Sequence, residues 1–78
     1  MKHYKIYVTG KQGIFDPAGK ATENALTSLG YAGIDRLRIG KFIELDGDDD
    51  LSQEQVAEMC MKLLANPVIE DFRIVEEA

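Results

Sequence analysis

The fold of this 78-residue chain is decided by residues 36–45, which read Arg36-Leu37-Arg38-Ile39-Gly40-Lys41-Phe42-Ile43-Glu44-Leu45. Except at residue 41, the odd positions are apolar, and this period of two predicts β structure. The preferred interpretation is one bent strand, about 33 Å long, with its bend at residue 40. The alternative is a hairpin of two short strands turning at residues 40 and 41. A long strand would overhang so small a domain, so another chain would have to cover its unpaired end.

The segment before this stretch predicts a first helix. Asp16 is an N-cap acceptor, Pro17 suits the first helical position, and Gly30 is placed for a left-handed C-terminal cap. The apolar stripe of this helix consists mostly of alanine, so the helix can lie close to a sheet. The stripe comprises Ala18, Ala21, Ala25 and Leu29, with Thr22 and Leu26 beside it.

The segment after it predicts a second helix. Ser52 and Gln55 form a capping box, and Leu51 with Val56 forms a hydrophobic staple around it. The helix should end at Asn66-Pro67, because proline cannot continue it. Its predicted buried side chains are Val56, Met59, Cys60 and Leu63.

Two further strands complete the predicted fold. The first contains the alternating apolar residues Tyr4, Ile6 and Val8, and the last runs from Val68 or Ile69 to about residue 75. The order is therefore strand, helix, long bent strand or hairpin, helix, strand. We expect a single α+β domain over residues 1–78, a two-layer sandwich with two helices on one face of a mainly antiparallel sheet, dimerising through that sheet.

Composition and net charge disfavour two classes of partner, nucleic acids and membranes. Nine Lys and Arg against fourteen Asp and Glu give a formal net charge of −5, which disfavours nucleic acid as a partner. No apolar run approaches the roughly 20 residues of a membrane span, so no membrane partner is expected. Cys60 is the single cysteine, so no disulfide can staple the fold, and we expect a cytoplasmic protein that self-associates.

The sequence offers no set of residues for catalysis. Residues 9–13 lack the spacing and the hydroxyl of a phosphate-binding loop, and residues 46–50 lack the later ligands of a calcium loop. His3 and Cys60 fall on different elements, and Cys60 fits a helix core better than a reactive site. We therefore expect no catalytic and no metal-binding residue in this chain.

One polar cluster remains in the predicted strand. Four of its residues share one strand face, namely Arg36, Arg38, Phe42 and Glu44, and Lys41 lies on the other, apolar face. The cluster is either an ordinary exposed sheet face or a protein contact, because arginine and aromatic residues are enriched at interfaces. Lys41 interrupts the apolar side of the strand, so it needs a partner carboxylate or an exit to solvent.

The chain as a whole resembles the PurS family, the small subunits of phosphoribosylformylglycinamidine synthase. The motifs that carry the resemblance are Asp-Pro-x-Gly-Lys, Ser-Leu-Gly-Tyr, Arg-Ile-Gly-Lys and the C-terminal Leu-Leu-Ala-Asn-Pro-Val-Ile-Glu-Asp. They begin here at residues 16, 28, 38 and 63. Gly10, where leucine is frequent, and the acidic loop at residues 46–50 depart from the family pattern.

The resemblance implies a non-catalytic subunit that acts in de novo purine synthesis. Such a subunit would bridge a glutaminase subunit and a large ATP-dependent synthase subunit, and would assist ammonia transfer between them. It would bind no cofactor itself, and the partners would use ATP, magnesium and glutamine. The expected partner or oligomer contacts are Asp16, Pro17, Gly19, Lys20, Arg36, Arg38, Gly40, Lys41, Phe42 and Glu44. A regulatory module that binds a small molecule is the alternative function.

Overall fold

The computed structural model describes residues 1–77, which form a three-stranded antiparallel sheet and two helices. Along the chain the elements are β1 (Lys2–Gly10), α1 (Pro17–Ser28), β2 (Lys41–Gly47), α2 (Gln53–Met59) and β3 (Glu70–Glu77). A π-helical turn, Cys60–Leu64, continues α2 directly. The sheet order is β2-β1-β3, and both pairings are antiparallel. The predicted α+β class, antiparallel sheet and two helices are confirmed.

The core lies between the central strand and the second helix. Tyr4, Ile6 and Val8 present one face of β1 to Val56 and Cys60, and all five side chains are almost completely buried. The Tyr4 hydroxyl donates a hydrogen bond to the Leu51 carbonyl at 2.8 Å, so its polar end is satisfied inside the layer. The alternation of β1 therefore encodes the buried face, as the sequence predicts.

The second strand is shorter than predicted. β2 begins at Lys41, which pairs with Val8, and residues 36–40 belong to no strand. The hairpin is also wrong, because its type II′ turn needs a positive φ at Gly40 and Gly40 has none. The physical reason lies in the backbone: the Ile39 amide donates to the Asp16 carboxylate at 3.0 Å instead of to a neighbouring strand.

The second helix begins as predicted, but its buried face shifts. The capping box is present: the Gln55 amide donates to the Ser52 hydroxyl, and the Ser52 amide donates to the Gln55 side chain. Beyond Cys60, however, the Ala65 amide bonds to the Cys60 carbonyl, five residues back. This wider turn buries Ala65, while Leu63 is 82% exposed and Met59 37% exposed, so both were wrongly predicted to be buried.

The first helix has the predicted caps but does not pack on the sheet. The Asp16 carboxylate caps its N-terminus, Pro17 opens it, and Gly30 ends it at φ +98° with the Tyr31 amide bonded to the Leu26 carbonyl. Of the residues in α1, Gly19 alone is buried. The prediction that both helices cover the sheet therefore fails for α1 in the single chain, because its alanine-rich stripe faces solvent.

The result is an elongated molecule. Its extents are 50 × 26 × 15 Å and its radius of gyration is 15.8 Å, against about 11.5 Å for a compact domain of this length. Its accessible surface is 5801 Å², about 1,100 Å² more than a compact monomer of its mass exposes.

The last strand differs slightly from its predicted bounds, because β3 begins at Glu70, one or two residues later than predicted. Within residues 1–77, no helix has the length and apolarity needed to span a bilayer.

Gly40 offers a test of this chain path. A Cβ there would lie far inside van der Waals contact with the Val8 carbonyl oxygen, whereas a Cβ at Gly10 would lie 4.0 Å from its nearest neighbour. We predict that Gly40→Ala lowers stability by about 1–3 kcal/mol and Tm by about 4 °C or more. Gly10→Ala is the matched control and should leave Tm nearly unchanged in thermal unfolding. Equal Tm values for the two variants would contradict the described crossing.

Candidate functional site

A cleft lies at the end of the sheet where β1 stops and β2 and β3 begin. We call this region the cleft end. The cleft has a volume of about 400 Å³, and its walls come from the β1–α1 loop, the first turns of α1, residues 36–39 and the start of β3. Three segments that are distant in sequence meet here. A cleft with walls from three segments is a candidate binding site.

Asp16 joins two of these walls. One carboxylate oxygen accepts the Gly19 amide at 2.9 Å, which caps α1, and the other accepts the Ile39 amide at 3.0 Å. These two hydrogen bonds, with a smaller effect from the nearby Arg38 charge, lower the pKa of Asp16 below its usual 3.8. The carboxylate is therefore ionised and fully engaged, which suits it to hold the chain and not to act as a general acid.

Gly19 makes the close approach of these segments possible. A Cβ at this position would collide with the Asp16 carboxylate and would lie 3.1 Å from the Leu37 carbonyl oxygen. Glycine is therefore required for packing here, since the φ of Gly19 is that of an ordinary helix residue. Residue 19 is thus a supporting position beneath the cleft and lines no part of its wall.

The cleft collects positive charge on an acidic protein. Its lining holds four of the nine Lys and Arg residues and three of the fourteen Asp and Glu residues. Lys11 pairs with Asp71 at 3.2 Å, Lys20 lies 4.0 Å from Glu23, and Arg38 donates to the Gly10 carbonyl. The four cations are Lys11, Lys20, Arg36 and Arg38.

Arg36 differs from the other three cations. No hydrogen bond or ion pair joins its side chain to another of the described residues 1–77. Its guanidinium is exposed, and its charge is available to a ligand or partner.

The sequence-predicted contact residues separate into three groups. The first group lines the cleft, whereas Gly19 and Gly40 serve close backbone packing. The remaining residues lie on β2. The members of the first group are Asp16, Pro17, Lys20, Arg36 and Arg38.

The prediction that Arg36 and Arg38 share a strand face with Phe42 and Glu44 is therefore wrong. The physical reason is that the chain leaves the sheet at Gly40, so only residues 41–47 follow the strand alternation. Arg36 and Arg38 reach the cleft instead. Contact with another protein stays a prediction for every member of the set.

Lys41 finds its partner within the chain. Its Nζ donates to the Leu64 carbonyl at 3.1 Å, at the C-terminal end of the π-helical turn, where backbone carbonyls lack helical partners. This satisfies the requirement recognised in the sequence, with a carbonyl in place of the carboxylate. The neighbouring Phe42 points to the other face of the sheet.

That other face is not covered by a helix and carries an aromatic cluster. The rings of Tyr7 and Phe42 lie 5.1 Å apart, and the Arg73 guanidinium carbon is 4.7 Å from the centre of the Tyr7 ring. Sequence reasoning missed Tyr7 and Arg73. The signal that identifies them is cross-strand register, because Tyr7 pairs with Phe42 on β2 and with Arg73 on β3.

The single cysteine and the single histidine lie in different parts of the structure. Cys60 lies in the core, and burial raises the pKa of its thiol, which disfavours the reactive thiolate. His3 pairs with Asp46 at 2.6 Å at the opposite end of the sheet, on the face away from Cys60. Among residues 1–77, no three His, Cys, Asp or Glu side chains are grouped as metal ligands would be.

The bridging role of the Asp16 carboxylate can be tested by a substitution whose effect on stability is followed with pH. Asp16→Asn keeps one oxygen to cap α1 but presents an NH₂ group, which cannot accept, to the Ile39 amide. Because the folded pKa is lowered, the ionised carboxylate stabilises the fold above pH 3.8, and this contribution is lost as pH falls through the lower folded pKa.

We predict that Asp16→Asn has a lower Tm than the parent at pH 7, and that the gap narrows below about pH 4. Thermal unfolding between pH 2 and pH 7 measures it. A gap that stays constant over this range would contradict the bridging role of the carboxylate.

Comparison with known proteins gives one consistent result. The family described as PurS, phosphoribosylformylglycinamidine (FGAM) synthase, matches residues 3–77. The chain is 48% identical to the PurS subunit of phosphoribosylformylglycinamidine synthase from Bacillus subtilis, with 99% of this chain and 95% of the relative covered.

Solved structures agree with the sequence match. A crystal structure of Bacillus subtilis PurS is similar at a TM-score of 0.91 with 44% identity, covering all of both chains. A chain of the Thermotoga maritima PurLQS structure is similar at a TM-score of 0.81 with 29% identity, covering 97% of this chain and 96% of that one. The resemblance noted in the sequence is thus confirmed over nearly the whole length, and this chain belongs to the PurS family of phosphoribosylformylglycinamidine synthase subunits.

Proposed function

We propose that this chain is the non-catalytic small subunit of a phosphoribosylformylglycinamidine synthase complex in purine biosynthesis. In this role it holds a glutaminase subunit beside a large ATP-dependent synthase subunit. The observation that carries the proposal is the similarity to PurS proteins over the full chain, including a chain of the PurLQS structure. We place this work in the cytoplasm, where a free thiol such as Cys60 persists.

The arrangement of side chains supports an adaptor more than an enzyme. The one thiol is in the core, the one histidine is paired with Asp46 at an exposed end of the sheet, and the Asp16 carboxylate accepts hydrogen bonds from two backbone amides. ATP, magnesium and glutamine would be bound by the partner subunits. The chain would contribute surface, and its elongated shape presents much surface for its size.

Bridging has a chemical benefit in a glutamine-dependent ligase. Ammonia released in water at neutral pH is mostly ammonium, which is a poor nucleophile. A subunit that holds the two active sites together shelters the path between them and raises the effective concentration of each partner for the other. We therefore propose that assisted ammonia transfer is the consequence of this adaptor role.

We include self-association in the proposal. The excess surface of about 1,100 Å² exceeds the roughly 800 Å² that each partner buries in a standard interface. Leu29 and Tyr31, at the end of α1, are 74% and 61% exposed, and the sheet face around Tyr7 and Phe42 is uncovered. A dimer formed through the sheet stays a prediction, and these surfaces support it.

Reconstitution of the ligase reaction tests the adaptor role. We predict that leaving out this chain lowers the glutamine-dependent rate of the combined glutaminase and synthase subunits at least about tenfold. The matched control uses an ammonium salt in place of glutamine, because it bypasses the transfer and should give the same rate with or without the chain.

Two results would contradict the proposal. Equal glutamine-dependent rates with and without the chain would remove the bridging role. If, in addition, free amino acids stabilised the chain in thermal unfolding, the regulatory alternative would replace it.

A further inference from the structure

Charge is segregated along the sheet. At the cleft end, where β1 stops and β2 begins, the lining carries four of the nine cationic side chains. The opposite end, where β1 begins and β2 and β3 stop, carries six of the fourteen acids: Asp46, Asp48, Asp49, Asp50, Glu76 and Glu77. The cleft lining also holds three acids, so its formal charge is +1, whereas the opposite end, with Lys2 and Lys5 against its six acids, has a formal charge of −4. In a chain of net charge −5, an acidic segment is therefore repelled by the opposite end and not by the cleft end.

Exposed apolar side chains concentrate at the same end as the cations. Ile14, Phe15, Ile39 and Ile69 all line the cleft and are 45%, 73%, 45% and 41% exposed. Sites for small molecules bury most of the ligand between apolar walls, whereas these side chains are all exposed to solvent. Protruding aromatic and arginine side chains on a charged rim are typical of a protein interface.

We propose that the cleft end docks an acidic segment of a partner protein, one that carries apolar side chains among its carboxylates. The exposed Phe15 and its apolar neighbours contact the apolar side chains of that segment. Arg36, whose charge no described residue neutralises, pairs with a carboxylate. Lys20, which lies 4.0 Å from Glu23, is a second cation in the same lining. This inference rests on the proposed function, because the partner is a subunit of the synthase complex.

A second copy of this chain is a poorer occupant. Its acidic end has the right charge, but an acidic end seated on a cleft end is a head-to-tail contact, which forms filaments unless its rotation closes a ring. The proposed adaptor needs a closed assembly that leaves sites for two different subunits. A foreign acidic segment satisfies both the charge and the geometry.

The test uses two variants at the cleft end and one matched control. Arg36→Glu reverses the unneutralised charge, and Phe15→Ser removes the protruding ring. Lys62→Glu, at an exposed site on the π-helical turn, makes the same change in net charge away from the cleft. All three positions are exposed, so circular dichroism should show parental folds.

We predict that Arg36→Glu and Phe15→Ser each weaken binding to the reconstituted synthase and glutaminase subunits at least about tenfold, while Lys62→Glu binds like the parent. Binding of the parent should also weaken as salt rises, and that of Arg36→Glu should do so less steeply. Isothermal titration calorimetry at several salt concentrations measures both.

The other outcomes count against the inference in different ways. If the parent binds and both cleft variants match the Lys62→Glu control, docking at the cleft end is wrong while the proposed function stands. If the parent binds neither subunit, the proposed function fails and the inference falls with it. If the parent alone forms salt-sensitive filaments, the occupant is a second copy and the proposal is overturned.

Discussion

One face of one strand holds this protein together. Tyr4, Ile6 and Val8 on β1 supply three of the five largest fully buried side chains within residues 1–77, and Val56 and Cys60 of the second helix supply the others. Because β1 also pairs with both neighbouring strands, every element of the core depends on it. A core this small covers one side of the sheet and reaches no further. The other sheet face and the whole of α1 lie outside it.

The parts outside the core are the parts that other proteins can use. α1 is tied to the rest of the chain through the Asp16 carboxylate, which bridges the Gly19 and Ile39 amides, and not through a buried apolar face. This tether forms the cleft and sets Arg36 on its wall. With so small a core, the chain exposes more surface than a compact monomer of its mass. A PurS-family chain, as a subunit of a synthase, has a use for that surface.

Local signals in the sequence predicted local structure well. The Asp16-Pro17 start of α1, the Gly30 cap and the Ser52–Gln55 capping box each depend on residues within a few positions of one another. The length of β2 could not be predicted in this way, because an alternating pattern fits extended chain whether or not it is paired, and the Ile39 amide has a distant partner in Asp16. The exposure of Leu63 follows from a π-helical turn that helical periodicity does not reveal. The cleft was not predicted because three separate segments form it, although Asp16, Lys20, Arg36 and Arg38 were identified individually.

The central claim is that this chain is completed by association, and sedimentation equilibrium of the purified protein tests it most directly. The account predicts a mass that is a multiple of 8.7 kDa at micromolar concentration, with thermal unfolding that shifts to lower temperature on dilution. A particle of 8.7 kDa at every concentration, unfolding at a Tm independent of dilution, would contradict it.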